Sequence, residues 1–161
     1  MIITEAKTSD IPTLANFQCS MAWETEEMKL DPDEVAKGIQ ALFDDPSKGK
    51  YFVARINDET AGCLMITFEW SEWRNASVIW IQSVFVDTKY RRQGVYRALY
   101  QHVKSMVKNN EGYQGIRLYV EQQNHRAQQV YNALGMTDEH YLLFEWMGES
   151  ENSNPEPNQN V

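Results

Sequence analysis

The segment Tyr90-Arg91-Arg92-Gln93-Gly94-Val95-Tyr96-Arg97-Ala98-Leu99 follows a strand-like run, Ile79 to Val86, and opens a strongly helical one. A strand that turns through a basic, glycine-containing loop into a helix constrains the fold more than any other stretch of this chain. It requires a helix N-terminus beyond the end of a sheet strand, where several backbone N–H groups converge without an intrahelical acceptor. With the positive end of the helix dipole and the nearby guanidinium groups, they make a seat for a phosphate or pyrophosphate. Gly94 has no Cβ and so lets an anion approach the backbone. No Gly-Lys-Ser/Thr follows, which excludes a Walker loop, and the three spaced glycines of a dinucleotide fingerprint are missing. The expected ligand is a phosphate-bearing cofactor.

A formal net charge of −8 over 161 residues argues against a nucleic-acid-binding surface, which needs a basic patch. Arg91, Arg92 and Arg97 instead focus positive charge at one place in an acidic whole. With 42% hydrophobic and 24% charged residues, the length suits one domain with a real core, residues 1–147, and a disordered acidic tail, 148–161. Cys19 and Cys63 lack Cys-x-x-Cys spacing and read as buried thiols, so neither a disulfide nor a metal site is expected. No basic-then-apolar leader and no apolar run of ~18 residues appears, so a cytoplasmic protein without membrane contact is expected.

Met1 to Ala6 reads as a strand, and Thr8-Ser9-Asp10 with Pro12 opens a first helix that runs to Glu27. Asp31-Pro32-Asp33-Glu34 combines an N-cap, a first-turn proline and a capping glutamate for a second helix striped by Val35, Ile39, Leu42 and Phe43. Tyr51 to Ile56, Ala61 to Trp70 and Val78 to Val86 form a three-strand meander with turns at 57–60 and 71–77. After the basic loop and its helix come a strand, Gly115 to Val120, a short helix, Asn124 to Leu134, and a last strand, Met136 to Trp146. The order β-α-α-β-β-β-α-β-α-β predicts a mixed α/β sheet, antiparallel at first, with a parallel pair across the basic-loop helix.

In the second informative segment Asn124 caps a helix, Ala127, Val130, Tyr131 and Leu134 share one face, and Gly135 ends it. Taken with the basic loop, it resembles the GNAT N-acetyltransferase superfamily. The family's pyrophosphate pattern Arg/Gln-x-x-Gly-x-Gly/Ala is matched by Arg91-Arg92-Gln93-Gly94-Val95-Tyr96. Its later pattern Asn-x-x-Ala-x-x-x-Tyr-x-x-x-Gly-Phe is matched by Asn124, Ala127, Tyr131 and Gly135, with Met136 in the Phe place. The resemblance implies a GNAT-like acyl-CoA N-acyltransferase fold and acetyl-CoA as donor. Backbone amides of Gln93, Gly94, Val95, Tyr96 and Arg97 would hold the pyrophosphate. Backbone groups of Val84 and Val86 would pair with the pantetheine arm, and an amide at Val84 or Phe85 would polarise the acetyl carbonyl. Asn124 would assist the cofactor, and Tyr131 would protonate the departing thiolate. Two positions depart from the family: Tyr96 replaces Gly or Ala, and Gln82 stands where a strand glutamate often serves as base. An amide cannot take that proton.

The acceptor is expected at the end of the first helix. There Glu24 and Glu26 suit an ammonium, as binding groups or as proton acceptor, and Trp23 suits a cation–π contact. Trp70 and Gln82 are further candidates for acceptor contact. The reading is direct acetyl transfer to the primary amine of a small, cationic acceptor, with a homodimer as the default assembly. The alternative is a non-catalytic CoA-binding or regulatory domain, which Gln82 favours and Tyr131 does not.

Overall fold

A computed structural model describes residues 1–146 of the 161, in two compact units that divide after Tyr119. The tail expected at 148–161 lies outside the described residues. The first unit contains β1 (Ile2–Glu5), α1 (Ile11–Glu26), α2 (Pro32–Asp44), β2 (Lys50–Ile56), β3 (Glu59–Ser71), β4 (Ala76–Val86), α3 (Val95–Asn109) and β5 (Tyr113–Leu118). Its sheet has the order β1-β2-β3-β4-β5, antiparallel through β4 and parallel between β4 and β5. A parallel pair needs a crossover, and α3 supplies it. This is the expected mixed α/β architecture. No helix among the described residues is long and apolar enough to cross a membrane.

Local chemistry sets most element ends. The Asp31 carboxylate accepts a hydrogen bond from the Asp33 N–H at 2.9 Å, and Pro32 occupies the first helical position of α2. Asn57 and Asp58 both take positive φ, 49° and 63°, as a two-residue hairpin between twisted strands requires. Asp10 caps the helix entry from within its first turn. Its buried carboxylate takes the Lys7 N–H at 2.9 Å and the Arg55 guanidinium at 2.7 Å, tying the entry of α1 to β2.

The sheet is covered on both faces. Tyr51, Val53, Cys63 and Phe85 join Leu14, Phe17, Ile39 and Leu42 in one core beneath α1 and α2. Phe52, the next residue after Tyr51, sets its ring 4.7 Å from His102 of α3. Successive strand residues point to opposite faces, so α3 lies across the sheet from α1 and α2. Leu64, Ile66, Ile79, Leu99 and Val103 have no exposed surface. Each such burial contributes about 1.5–3 kcal/mol.

Two irregularities in β4 prepare the site. The register slips between Met65, opposite Ser83, and Ile66, opposite Ile81, which leaves Gln82 as an extra residue on β4. Pairing with β5 stops at Ile81–Leu118. Residues 82–86 therefore have β3 on one side and, among the described residues, no strand on the other.

In the second unit Asn124 caps α4 (His125–Ala133), its side-chain oxygen accepting from the Ala127 N–H at 3.1 Å. Gly135, at φ 83°, ends the helix. The last strand expected at Met136 to Trp146 is not formed: no strand is present there. Tyr141, Leu142, Leu143, Phe144 and Trp146 are exposed, Phe144 by 88% and Trp146 by 86%. Apolar content makes a segment eligible for a strand, but a ladder partner makes it one, and that partner is not a local property.

Candidate active site

Beyond β4 the loop is fastened by its own side chains. The Asp87 carboxylate accepts from the Lys89 N–H at 3.0 Å and holds a single 3₁₀ turn, Thr88–Tyr90. Glu59, at the start of β3, takes the Lys89 ammonium at 2.7 Å and the Tyr90 hydroxyl at 2.6 Å. The Lys89 hydrogen bond holds the Glu59 carboxyl below its usual range. Gln93 Nε2 donates to the Lys89 carbonyl at 3.0 Å. Arg92 and Gly94 both take positive φ, 64° and 79°, and α3 begins directly after Gly94. As N-cap, Gly94 offers no capping side chain, and a Cβ built there would meet nothing within 4 Å. The first turn of α3 thus presents its amides outward. Arg92 and Arg97 are exposed beside it.

The open edge of β4 leads into this loop. The Asp87 N–H bonds the Ala61 carbonyl at 3.0 Å. By antiparallel alternation, Phe85 also bonds toward β3, whereas Val84 and Val86 turn their N–H and C=O groups to the side where β5 has ended. The Val86 carbonyl accepts from Arg91 Nε at 3.0 Å. Of the two amides expected near an acyl carbonyl, Val84 faces the gap and Phe85 faces the ladder. The Phe85 ring instead packs 5.0 Å from Phe17 and 5.6 Å from the Arg91 guanidinium.

Glu24 stands beside the loop: its carboxylate receives the Arg91 guanidinium at 2.5 Å, so Arg91 joins the end of α1 to the end of β4. Glu26 and Trp23 are exposed nearby on α1, and the Lys29 ammonium lies 5.7 Å from the Trp23 ring. Trp70 is opposite Ser77, near the start of β4, so about 30 Å of strand separates it from the loop. Gln82 lies on the α1–α2 face, where its amide donates to the Thr67 hydroxyl at 2.7 Å. In the second unit Tyr131 is half-buried, and burial raises its phenol. It stays protonated at neutral pH. Burial also pushes the Cys63 thiol up to about 12, which removes it as a nucleophile.

Two groups of polar residues lie outside the expected site residues. Gln18 Nε2 donates to the Ser83 hydroxyl at 3.4 Å, next to the Tyr51 phenol that burial pushes up to about 12. Farther along the same face, the Trp80 indole N–H donates to Glu69, and Arg117 binds the other Glu69 oxygen at 2.7 Å. Tyr119 lies 4.5 Å from Trp80. Only strand register brings these residues together, so spacing carried no signal of them. Among the described residues no group of three His, Cys, Asp or Glu side chains is placed to hold a metal ion.

The chain matches known acetyltransferases in sequence and fold. The profile of the Acetyltransferase (GNAT) family matches residues 9–136. A solved structure of "a possible acetyltransferase from Clostridium difficile 630" is 40% identical, covers 92% of this chain and 98% of its own, and superposes with a TM-score of 0.88. An aminoglycoside acetyltransferase from an uncultured soil metagenomic sample, solved with trehalose, shares 16% identity over 92% of this chain and 96% of its own, TM-score 0.73. The ribosomal-protein-alanine N-acetyltransferase of Brucella melitensis biovar Abortus 2308 shares 14% identity over 91% of this chain and 100% of its own, TM-score 0.72. The last two likenesses concern the fold alone. No curated protein matches the chain significantly.

Proposed function

The chain belongs to the acetyltransferase (GNAT) family, and we propose that it moves an acetyl group from acetyl-CoA to the primary amine of a small acceptor by direct transfer, with residues 1–147 as the acetyltransferase domain. Family membership supports acyl transfer. The single observation that carries the fuller reading is the edge of β4, residues 82–86, that no strand among the described residues covers, running into the uncapped N-terminus of α3.

The residues present fit coenzyme A. Empty space at the missing Gly94 Cβ leaves room for a diphosphate against the amides of Gln93, Gly94, Val95, Tyr96 and Arg97. The cationic side chains of Arg92 and Arg97 add to the attraction. Val84 and Val86 offer backbone groups to an extended amide-bearing arm, which would lie beside β4 as an added strand. When bound, acetyl-CoA supplies a thioester whose C–S bond breaks as the C–N bond forms. The Val84 N–H would donate to the acyl oxygen as it gains charge. We assign the proton for the sulfur to the Tyr131 hydroxyl, on the motif Asn124…Tyr131…Gly135 and on the raised phenol. Asn124 would act by capping α4 and so fixing the helix that carries Tyr131. Gln82 cannot take the ammonium proton, which we pass to water beside its exposed side chain, and the second proton the nitrogen sheds on becoming an amide returns through water to the Tyr131 phenolate. Glu26 would attract the acceptor's ammonium, while Glu24 positions Arg91.

Calorimetry with acetyl-CoA, followed by thiol release across a panel of amines, tests the reading. Binding with amine-dependent release supports it, and absence of binding by folded protein overturns it. The second reading, a CoA-binding domain without catalysis, draws on Gln82 at the bulge and predicts binding without release.

A further inference from the structure

Beneath α1 and α2 the first unit carries an open cavity of about 280 Å³. Leu30, Val35, Ile39, Leu42 and Met65 form its walls. Gly38, in the middle of α2, stands at the mouth, where a Cβ would meet nothing within 4 Å. Glycine inside a helix is less favourable than alanine. The Gly38 backbone is ordinary helix, outside the positive-φ set, so what the glycine contributes here is room.

Gln18 and Tyr51 are the polar residues of the lining, and both lead toward β4. Tyr51 pairs with Met65 across β2 and β3, and Met65 with Ser83 across β3 and β4, so the three form one row across the sheet. Gln18 reaches the same Ser83 hydroxyl at 3.4 Å. Ser83 in turn sits between the bulge residue Gln82 and Val84, whose backbone faces the gap in the sheet. Two strand spacings, about 10 Å, thus separate the cavity floor from the proposed place of transfer.

We propose that this cavity takes the uncharged side group of the acceptor, so that the substrate is a primary monoamine bearing an aliphatic or aryl group about the size of a phenyl ring. The inference rests on the acetyl-transfer reading and specifies its acceptor. Apolar cavities of about 150 Å³ hold a benzene molecule, so this one accommodates a phenyl group and part of a linker. None of the lining residues is a carboxylate that would pair with a second ammonium, and Glu24, near the end of α1, is held by Arg91. The lining therefore offers a second ammonium no charged partner, which favours a monoamine.

The test compares acetyl-CoA-dependent thiol release with 2-phenylethylamine, 3-methylbutylamine, 1,4-diaminobutane and spermidine. Expected is a kcat/KM at least tenfold higher for the two apolar monoamines. Gly38→Leu, which fills the mouth, raises KM for 2-phenylethylamine at least tenfold and leaves KM for acetyl-CoA within twofold. Leu30→Glu, in the loop between the helices, shifts preference toward the diamine and keeps the test open if Gly38→Leu fails to fold. A preference of the wild type for spermidine or the diamine overturns the proposal, as does an unchanged KM in Gly38→Leu. Failure of the acetyl-transfer reading is distinguishable: no amine then releases thiol. In that case thermal stabilisation by 2-phenylethylamine alone, lost in Gly38→Leu, still supports the cavity assignment, and its absence from the wild type overturns it.

Discussion

Replacing Gly94 with alanine separates the conformational role of the loop glycine from its role in admitting a diphosphate. Gly94 takes φ 79°, where an L-residue is strained by about 1 kcal/mol, and its missing Cβ faces nothing within 4 Å, so the methyl group itself adds no clash. The expected Tm loss without ligand is about 2–4 °C for a chain of this size. Gly135 is an internal control, because it has φ 83°, equal emptiness around its missing Cβ, and a place at the end of α4 outside the loop. Gly135→Ala should lose similar stability. Only Gly94→Ala should lose acetyl-CoA affinity, at least tenfold, because its methyl enters the space the anion needs. At a ligand concentration 100 times the wild-type Kd, ligand stabilises the wild type by about 2.7 kcal/mol, and a tenfold weaker variant by about 1.4 kcal/mol. Titration calorimetry reads the affinities directly, and thermal melts with and without acetyl-CoA read the stability terms. Equal affinity losses in the two variants, or none in Gly94→Ala, would refute the assignment of the loop as the diphosphate seat.

Tyr131→Phe should lower kcat by about 10²–10⁴-fold with acetyl-CoA Kd unchanged, whereas parallel losses in both would mean that the phenol only packs. Glu24→Gln removes a pair whose side chains are 34% and 41% exposed, so its stability cost should stay below about 1 kcal/mol. Its KM for acetyl-CoA should rise while kcat stays within threefold, and a hundredfold fall in kcat would instead make Glu24 the proton acceptor. Burial lowers His102 from its usual 6.5, so its neutral form favours the fold fully above that pH, and this advantage is lost as pH falls through the lowered value. Melts from pH 7 to 5 should therefore show the gap between wild type and His102→Gln shrinking, and parallel curves would contradict the assignment.

The acceptor side shows why legibility stopped where it did. Trp70 is a candidate for acceptor contact by residue type, yet register sets it opposite Ser77, at the end of β4 remote from the loop. Glu24 and Arg91 are far apart along the chain, so no periodicity hinted that the expected amine-binding carboxylate would be held by the cofactor loop. The Met136–Trp146 run has strand composition but no strand, because composition cannot supply a neighbouring ladder.

What the amino-acid order determined by itself was whatever depends on a few adjacent residues. This includes the capping of α2 by Asp31 and of α4 by Asn124, the Asn57-Asp58 hairpin, and the basic glycine loop at a helix start. Each is a short-range hydrogen-bond or φ requirement written in residue type. The tertiary structure alone decided that β5 leaves β4 after Ile81, that Val84 rather than Phe85 turns its amide into the gap, and that Tyr51, Met65 and Ser83 align beneath a cavity at Gly38. Those outcomes follow from strand register, which sums burial over the whole sheet, and a one-residue shift would reverse every side chain involved.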